Sequence, residues 1–194
     1  MSALAYPSPP LTNGATMLRA WREADVPALT DKFSDPLVQQ FSWASVEPYT
    51  EADARAFIQD AEQARLRGEQ LQFALTDVDG AVLGGASLHG IDVDEGTAAV
   101  GYWVAASSRG RGLASGAVRL MAAWAFGELG LARVWLTCGP DNKASHRVAA
   151  RCGFVREGVL RSHIPFKHGR RDSVVFGLLP GELHAADQRR GLGE

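Results

Sequence analysis

Hydrophobic positions along this chain follow two different periods, and the period changes many times between the two ends. Apolar residues three or four positions apart are typical of helices, whereas alternating ones are typical of strands. Helices are predicted over residues 22–32, 50–67, 113–129 and 141–151. Strands are predicted over residues 17–21, 71–76, 81–89, 97–105, 133–137, 154–160 and 173–179. This mixed order predicts the α/β (α+β) class, in which a sheet carries helices on its faces.

Capping and turn residues mark several element boundaries. Thr50 and Asp53 have the spacing of a capping box, and Gly68 is the expected stop of the same helix. Asp141 is the expected N-cap of the last helix. The Asp-Gly pair at 79–80 predicts a hairpin turn between two strands.

The chain reads as one domain with a loose segment at each end. Its 194 residues suit a single domain. Residues 1–15 are rich in Pro, Ser and small side chains, and they predict a flexible N-terminal arm. Residues 181–194 are mostly polar and predict a flexible C-terminal tail. The folded domain is therefore expected over residues 16–180.

Charge and composition narrow the classes of function. Lys and Arg total 20 against 22 acidic residues, which does not favour a nucleic-acid partner. The N-terminus lacks the pattern of a signal peptide, and no uncharged apolar stretch reaches roughly 18 residues, so no membrane partner is predicted. Cys138 and Cys152 have no zinc-binding spacing. We expect a cytoplasmic protein with two reduced thiols and no metal.

Segment 101–116, with the sequence GYWVAASSRGRGLASG, carries the clearest chemical signal. A strand leads into a loop with two glycines and two arginines, and a helix begins at once. The first N–H groups of a helix have no internal partners and form the positive end of its dipole. Gly110 and Gly112 let the backbone approach a ligand closely, while Arg109 and Arg111 add positive charge. These features predict a phosphate or pyrophosphate site.

Two common phosphate-binding motifs fit this segment poorly. A P-loop requires a Lys directly after its second glycine, and none is present. A dinucleotide-binding loop requires its third glycine one position before Gly116, and an acidic residue at the end of the following strand. The strand expected at 133–138 contains no acid. A dinucleotide enzyme is therefore the least favoured function.

A third motif fits. Residues 109–114, RGRGLA, match the [Q/R]-x-x-G-x-[G/A] coenzyme A loop of the GNAT acetyltransferases. Residues 139–158 resemble a second signature, found in the branch with the ribosomal-protein N-terminal alanine acetyltransferases. Its matching positions are Asn142, Ser145, Gly153-Phe154 and Glu157-Gly158. The resemblance covers residues 16–180. It implies the GNAT fold, a central mixed and mostly antiparallel sheet with helices on both faces, and acetyl transfer from acetyl-CoA to an amine by direct attack.

The resemblance also implies roles for individual residues. Coenzyme A is expected on Tyr102, Trp103, Val104, Arg109, Gly110, Arg111, Gly112, Leu113, Ala114, Ser115 and Asn142. Within this set, the strand residues follow the pantetheine arm and the loop N–H groups hold the pyrophosphate. Ser145 is expected to protonate the departing thiolate. Many GNAT enzymes use a Tyr for this step, and none follows position 102 in this chain.

A general base is harder to assign from sequence. His89 and His163 each lie at the end of a predicted strand, and His is suited to proton transfer near neutral pH. His163 is slightly favoured, because relatives place an acid in that stretch and this chain has none there. Glu47, in an aromatic loop at 41–49, or a relay of water molecules is also compatible with the sequence.

Donor and acceptor stay open at the level of sequence. The acceptor is expected to be a small-molecule amine or a peptide N-terminus, and the resemblance implies a homodimer. A succinyl-CoA donor is one alternative, for which Arg161 or Lys167 is the candidate cation. A non-catalytic acyl-CoA sensor is a second one, although the Asn142 and Ser145 pair argues against it.

Overall fold

The computed structural model describes residues 3–41, 48–166 and 169–184. Eight strands form one sheet in the order β1-β2-β3-β4-β5-β6-β8-β7. The strands are β1 (Leu11–Thr12), β2 (Thr16–Ala20), β3 (Gln70–Asp77), β4 (Val82–Asp92), β5 (Thr97–Val104), β6 (Arg133–Cys138), β7 (Val155–Phe166) and β8 (Gly169–Leu178). The helices are α1 (Val26–Phe33), α2 (Pro36–Phe41), α3 (Glu51–Leu66), α4 (Leu113–Gly127) and α5 (Lys143–Cys152). Within these described ranges, no helix has the length and apolar character needed to cross a membrane.

Helices cover both faces of the sheet, as the α/β (α+β) prediction requires. Alternate residues of the strands pack against α4 and α5 on the first face: Leu71, Phe73, Leu88, Ala98, Val134, Leu136 and Phe176. A smaller apolar cluster joins the second face to α1 and α3: Trp21, Val26, Leu29, Ala54, Ala74 and Val82. The two faces therefore have separate cores, and a residue's parity along a strand decides which core it joins.

β5 and β6 form the one parallel pair of the described sheet, and they pair only briefly. Their last paired residues are Ala99 and Trp135. β5 continues to Val104 alongside β4, and β6 continues to Cys138 alongside β8. The facing edges of β5 and β6 therefore separate toward their C-terminal ends and leave an opening in the middle of the sheet.

The N-terminal cap predicted from the sequence is confirmed for one helix and is wrong by one residue for another. The predicted capping box forms at α3, where the Thr50 side chain accepts from the Asp53 N–H and the Asp53 carboxylate accepts from the Thr50 N–H. At α5 the N-cap is Asn142 rather than the expected Asp141. The Asn142 side chain accepts the N–H of Ser145, three residues on, which is the distance that an N-cap spans.

The structure also adds elements that the hydrophobic pattern did not predict. α2 is short, and Asp35 stabilises its start by accepting the N–H groups of Leu37 and Val38. β7 and β8 are longer than expected and form an antiparallel ladder that two register shifts interrupt. Such a short helix shows no full amphipathic period, and β7 has polar exposed positions that hide its strand pattern.

The segment expected as a flexible arm makes defined contacts with the sheet. β1 pairs with β2 through residues 11–12. The Tyr6 hydroxyl donates to the Gln72 carbonyl oxygen at 2.9 Å, and the Tyr6 ring packs edge-on against Phe73. Residues 6–12 thus differ from the expected free arm, because one aromatic side chain and one short strand attach them to the domain.

Candidate active site

One cavity of about 1300 Å³ occupies the opening between β5 and β6 and reaches both faces of the sheet. Most of the predicted site residues line it: His89, Tyr102, Trp103, Val104, Arg109, Gly110, Gly112, Leu113, Ala114, Ser115, Asn142 and Ser145. Arg111 and His163 are not part of its lining. The first group comes from four separate elements and one loop, so the fold brings together what the sequence only suggested.

The start of α4 leaves backbone donors without protein partners. The N-cap Gly112 has φ +78° and no side chain to cap the helix. The first internal hydrogen bond runs from the Gly116 N–H to the Gly112 carbonyl oxygen at 3.0 Å. In the described part of the chain, the N–H groups of Leu113, Ala114 and Ser115 therefore have no acceptor. Three free donors at the positive end of a 15-residue helix form a strong anion site.

The Arg109 side chain has a different role from the one expected. Its Nη2 donates to the Asp35 carboxylate, and its Nε donates to the Val104 carbonyl oxygen at 3.2 Å. Burial acts to raise the pKa of Asp35, but the hydrogen bonds from Arg109 and from the N–H groups of α2, together with the charge of Arg109, outweigh it and hold that pKa below its usual value. Arg109 thus connects its loop to α2, and the anion site depends on backbone N–H groups more than on this guanidinium.

β5 turns part of its backbone toward the opening. The Ala105 N–H donates to the Leu83 carbonyl oxygen at 2.9 Å, so this pair belongs to the hydrogen-bonded set of the β4–β5 ladder. In an antiparallel ladder, successive residues alternate between the two edges of the strand. Val100, Tyr102 and Val104 therefore direct their backbone groups to the edge that faces β6. Beyond Ala99 no β6 residue pairs with them.

Ser145 and Tyr102 meet on the first face. The Ser145 hydroxyl lies on the first turn of α5, whose start the Asn142 side chain stabilises. The Tyr102 hydroxyl is buried and has no hydrogen-bond partner among the described residues. Burial raises the pKa of Tyr102, and the nearby Ser145 hydroxyl partly offsets the rise. We call residues 109, 110 and 112–115 with Asn142 and Ser145 the α4–α5 wall.

His89 lies on the second face, across the sheet from α4 and α5. Its Nδ1 is 3.4 Å from the Ser87 Oγ. The neighbouring strand has Gly101 at this point, where a Cβ would come within 2.7 Å of the Ser87 Oγ. Burial lowers the pKa of His89. A half-buried imidazole that stays neutral and borders the cavity is suited to accept a proton.

His163, the slightly favoured base at the level of sequence, is placed elsewhere. The β7–β8 register shifts between Leu160 and Ile164, and Ser162 has φ +50° in this irregular stretch. As a result Ile164 reaches the cavity and His163 does not. The candidates Glu47 and Lys167 lie outside the described residues.

Aromatic side chains form the second-face side of the cavity. Phe33 contacts Tyr49 at 4.8 Å and Trp103 at 5.4 Å between ring centroids. Phe57 completes the set in the cavity lining. We call Phe33, Tyr49, Phe57 and Trp103 the aromatic wall. The Trp103 side chain thus belongs to this wall, although the sequence grouped it with the coenzyme strand.

Sequence reasoning did not find several lining residues. Phe33 follows the helix predicted over residues 22–32 and Phe57 lies within the one predicted over 50–67, and only the structure shows that both line the cavity. Asp35 and Arg171 carry no local motif. No group of three or more His, Cys, Asp and Glu side chains converges within the described ranges.

Comparison with known proteins agrees with this geometry. The sequence profile of the Acetyltransferase (GNAT) domain matches residues 16–155. YdaF of Bacillus subtilis, named as a ribosomal N-acetyltransferase, is 36% identical over 104 residues, 54% of this chain and 57% of that protein. The N-acetyltransferase p20 of Bacillus licheniformis is 30% identical over 168 residues, 85% of this chain and 93% of that protein. The structure of RimL, a ribosomal L7/L12 acetyltransferase in complex with coenzyme A, has a TM-score of 0.77 at 25% identity, covering 88% of this chain and 97% of that chain.

The chain belongs to the GNAT acetyltransferase family, because the profile covers more than half of its residues. Two of the proteins it resembles, YdaF and RimL, are named as ribosomal acetyltransferases. It is an N-acetyltransferase with the fold that the two sequence signatures predicted.

Proposed function

We propose that this protein transfers an acetyl group from acetyl-CoA to a primary amine, by direct attack of the amine on the thioester. The main observation in support of this proposal is the N-terminus of α4. Its three free N–H groups border a cavity that continues between β5 and β6 to Ser145 on one face and His89 on the other.

The α4–α5 wall fits coenzyme A in several respects. The N–H groups of residues 113–115 are suited to the pyrophosphate, since backbone donors at a helix start bind such groups well. Beyond Ala99 the edge of β5 offers backbone groups to the amides of the pantetheine arm, except for the Val104 carbonyl oxygen, which already accepts from Arg109. The Asn142 side chain uses its Oδ1 for the Ser145 N–H, which leaves its amide nitrogen for the ligand.

Two side chains are suited to the proton transfers. His89 would take a proton from the acceptor amine, because its lowered pKa keeps it neutral near pH 7. Ser145 would give its proton to the departing thiolate, beside the buried Tyr102 hydroxyl. Their positions on opposite faces match a donor and an acceptor that enter from opposite sides. Holding both reactants in one cavity supplies much of the rate enhancement.

A peptide or protein N-terminus is the favoured acceptor class. YdaF and RimL are both named for ribosomal substrates. The aromatic wall provides apolar area for a side chain near the amine. A homodimer and a cytoplasmic location remain predictions from the sequence.

A thiol-release assay tests the function directly. Acetyl-CoA and succinyl-CoA are each offered with a panel of small amines and N-terminal peptides, and released coenzyme A is titrated. Turnover with acetyl-CoA on at least one amine is the expected result. Turnover with succinyl-CoA but not with acetyl-CoA would show that the donor is succinyl-CoA. Tight coenzyme binding without turnover on any amine would favour the non-catalytic sensor.

A further inference from the structure

Arg171 is a cation in the cavity lining that the proposed chemistry does not use. It lies on β8, where it pairs with Ile164 of β7. Its guanidinium carbon is 3.9 Å from the centroid of the Phe166 ring, which fixes the orientation of the guanidinium plane. The contact with Phe166 therefore holds a positive group at the wall of the cavity.

The hydrogen-bonding capacity of this guanidinium is not fully satisfied by the protein. Its Nε is buried and has no hydrogen-bond partner among the residues that the structure describes. No carboxylate in the same ranges forms an ion pair with it, whereas the cavity's Arg109 is paired with Asp35. A buried guanidinium donor without an acceptor costs free energy, which a bound anion would recover.

The Asp141 carboxylate lies near the Arg171 guanidinium but does not form an ion pair with it. A Cβ on Gly139 would stand 2.6 Å from the Asp141 Oδ1 and 3.5 Å from the Arg171 Nε. Only a glycine leaves this space between the carboxylate and the guanidinium. Asp141 therefore moderates the positive charge of Arg171 without occupying its donors.

The face of the sheet indicates which reactant Arg171 meets. Val174 and Phe176 of β8 belong to the core under α4 and α5. Arg171 has the opposite parity, so its Cα–Cβ bond leaves the sheet on the face that carries His89 and Trp103, and its guanidinium extends to Gly139 at the turn before α5. That face is opposite the α4–α5 wall and is the acceptor side of the proposed reaction.

We propose that Arg171 is a specificity-determining residue that binds a carboxylate of the acceptor, close to the amine that becomes acetylated. The inference deepens the proposed function and depends on it. The carboxylate belongs either to an acidic residue beside a peptide N-terminus or to a small amino acid. A guanidinium binds a carboxylate with two parallel hydrogen bonds, which fixes the orientation of the acceptor as well as its charge.

Matched acceptor pairs test this inference with acetyl-CoA as donor. One pair is Ser-Asp-Phe-amide and Ser-Asn-Phe-amide, and the other is glutamate and glutamine. The wild-type protein is expected to prefer the acidic member of one pair by about tenfold or more in kcat/KM, the size of effect that a charged hydrogen bond gives. Which pair responds distinguishes a peptide from a small-molecule source.

Variants of Arg171 complete the design. In Arg171→Gln the preference should fall to about one, since a charge-assisted hydrogen bond is lost. In Arg171→Glu the acceptor preference should shift from Ser-Asp-Phe-amide toward Ser-Lys-Phe-amide. Affinity for coenzyme A, measured by calorimetry, should stay at the wild-type value in both and shows that they are folded. Arg156→Gln, an exposed Arg of β7 outside the cavity lining, is the matched control and should keep the wild-type preference.

The outcomes separate this inference from the proposed function. If no amine in a broad panel is acetylated, the proposed function fails. If neutral amines are acetylated but neither pair shows a preference for the acid, or if Arg171→Gln keeps that preference, the role of Arg171 is overturned. A preference of the wild-type protein for succinyl-CoA over acetyl-CoA, lost in Arg171→Gln, would assign the cation to the donor and also overturn the acceptor role.

Discussion

The α4–α5 wall and the aromatic wall enclose one cavity with different kinds of chemistry. The α4–α5 wall presents backbone groups, three N–H groups at the start of α4, and the edge of β5 that β6 leaves unpaired lies beside it. The aromatic wall presents side chains: rings from α1, α3 and β5 with the segment before α3, next to His89. Recognition by backbone groups suits a ligand that is the same throughout the family. A wall made of side chains can acquire a different ligand specificity when its residues are substituted.

The difference also separates two neighbouring helix starts. At α5, the Asn142 side chain accepts the Ser145 N–H, so the protein satisfies its own donor. At α4, Gly112 has no side chain and leaves three donors free. Both starts border the same cavity. The protein thus stabilises one helix end internally and leaves the other for an anionic ligand.

The largest expected effect comes from blocking the backbone donors of the α4–α5 wall. Gly112→Val should weaken coenzyme A binding about 1000-fold, because a branched side chain prevents two or more charged hydrogen bonds from forming. Calorimetry with acetyl-CoA measures the change. The left-handed backbone at φ +78° will also reduce stability, by about 1–2 kcal/mol.

A matched control separates that strain from the loss of the site. Gly80 has φ +90°, and a Cβ there would meet no atom within 4 Å, as at Gly112, but Gly80 lies in the β3–β4 turn. Gly80→Val should show similar destabilisation with unchanged coenzyme affinity. Equal affinities in the two variants would show that the start of α4 is not the pyrophosphate site.

The second prediction removes the proposed acid from the same wall. Ser145→Ala should lower kcat about 100-fold, a common contribution of a positioned acid, while KM for acetyl-CoA changes little. Tyr102→Phe tests the neighbouring hydroxyl and should lower kcat less. Wild-type kcat in Ser145→Ala together with a large loss in Tyr102→Phe would transfer the role to Tyr102.

The two walls also differ in how far the sequence predicts them. The residues of the α4–α5 wall line the cavity as the sequence predicted, because its glycines, its helix start and Asn142 lie within about 35 residues at family spacing. Two arginines are exceptions: Arg111 does not line the cavity, and the Arg109 side chain pairs with Asp35, which is 74 positions away. A local motif defines backbone shape, but it does not show where a long side chain ends.

The aromatic wall required the structure. Phe33 and Phe57 have the spacing of core-facing helical positions, and nothing local distinguishes a ring that lines a cavity from one that packs in a core. The sequence slightly favoured His163 over His89, whereas His89 lines the cavity and His163 does not, for a related reason. An irregular register in β7 decides which side chain reaches the cavity, and no turn residue marks it in the sequence.

The third prediction concerns His89 at the border of the aromatic wall. As a base it must be neutral, and burial lowers its pKa below 6.5. The rate should therefore rise with pH through a pKa below 6.5 and level off near pH 7. His89→Gln should remove that rise and lower kcat about tenfold at pH 7, since a water relay replaces only part of the base.

The same lowered pKa affects stability. The unfolded chain binds a proton at His89 at a higher pH than the folded chain, so the free energy of unfolding falls as pH drops below about 6.5. His89→Gln should reduce this acid sensitivity in chemical unfolding at pH 5 and pH 7. His163→Gln is the control and should keep the wild-type rate profile. If the rise of the rate with pH were lost in His163→Gln and kept in His89→Gln, the general base would be His163 and not His89.

The smallest expected effect concerns the ion pair that connects the two walls. Asp35 accepts from Arg109 of the coenzyme loop and from the first N–H groups of α2, which lies beside Phe33 of the aromatic wall. Asp35→Asn keeps the cap, because Asn is as good an N-cap as Asp, and it removes the charge that holds Arg109. KM should rise about threefold for both acetyl-CoA and the acceptor, the size expected of a partly exposed ion pair, with kcat nearly constant. Asp31→Asn is the control, since the Asp31 carboxylate is mostly exposed and is 3.8 Å from Lys32. A rise in KM for only one of the two substrates would show that the pair stabilises one wall and does not connect them.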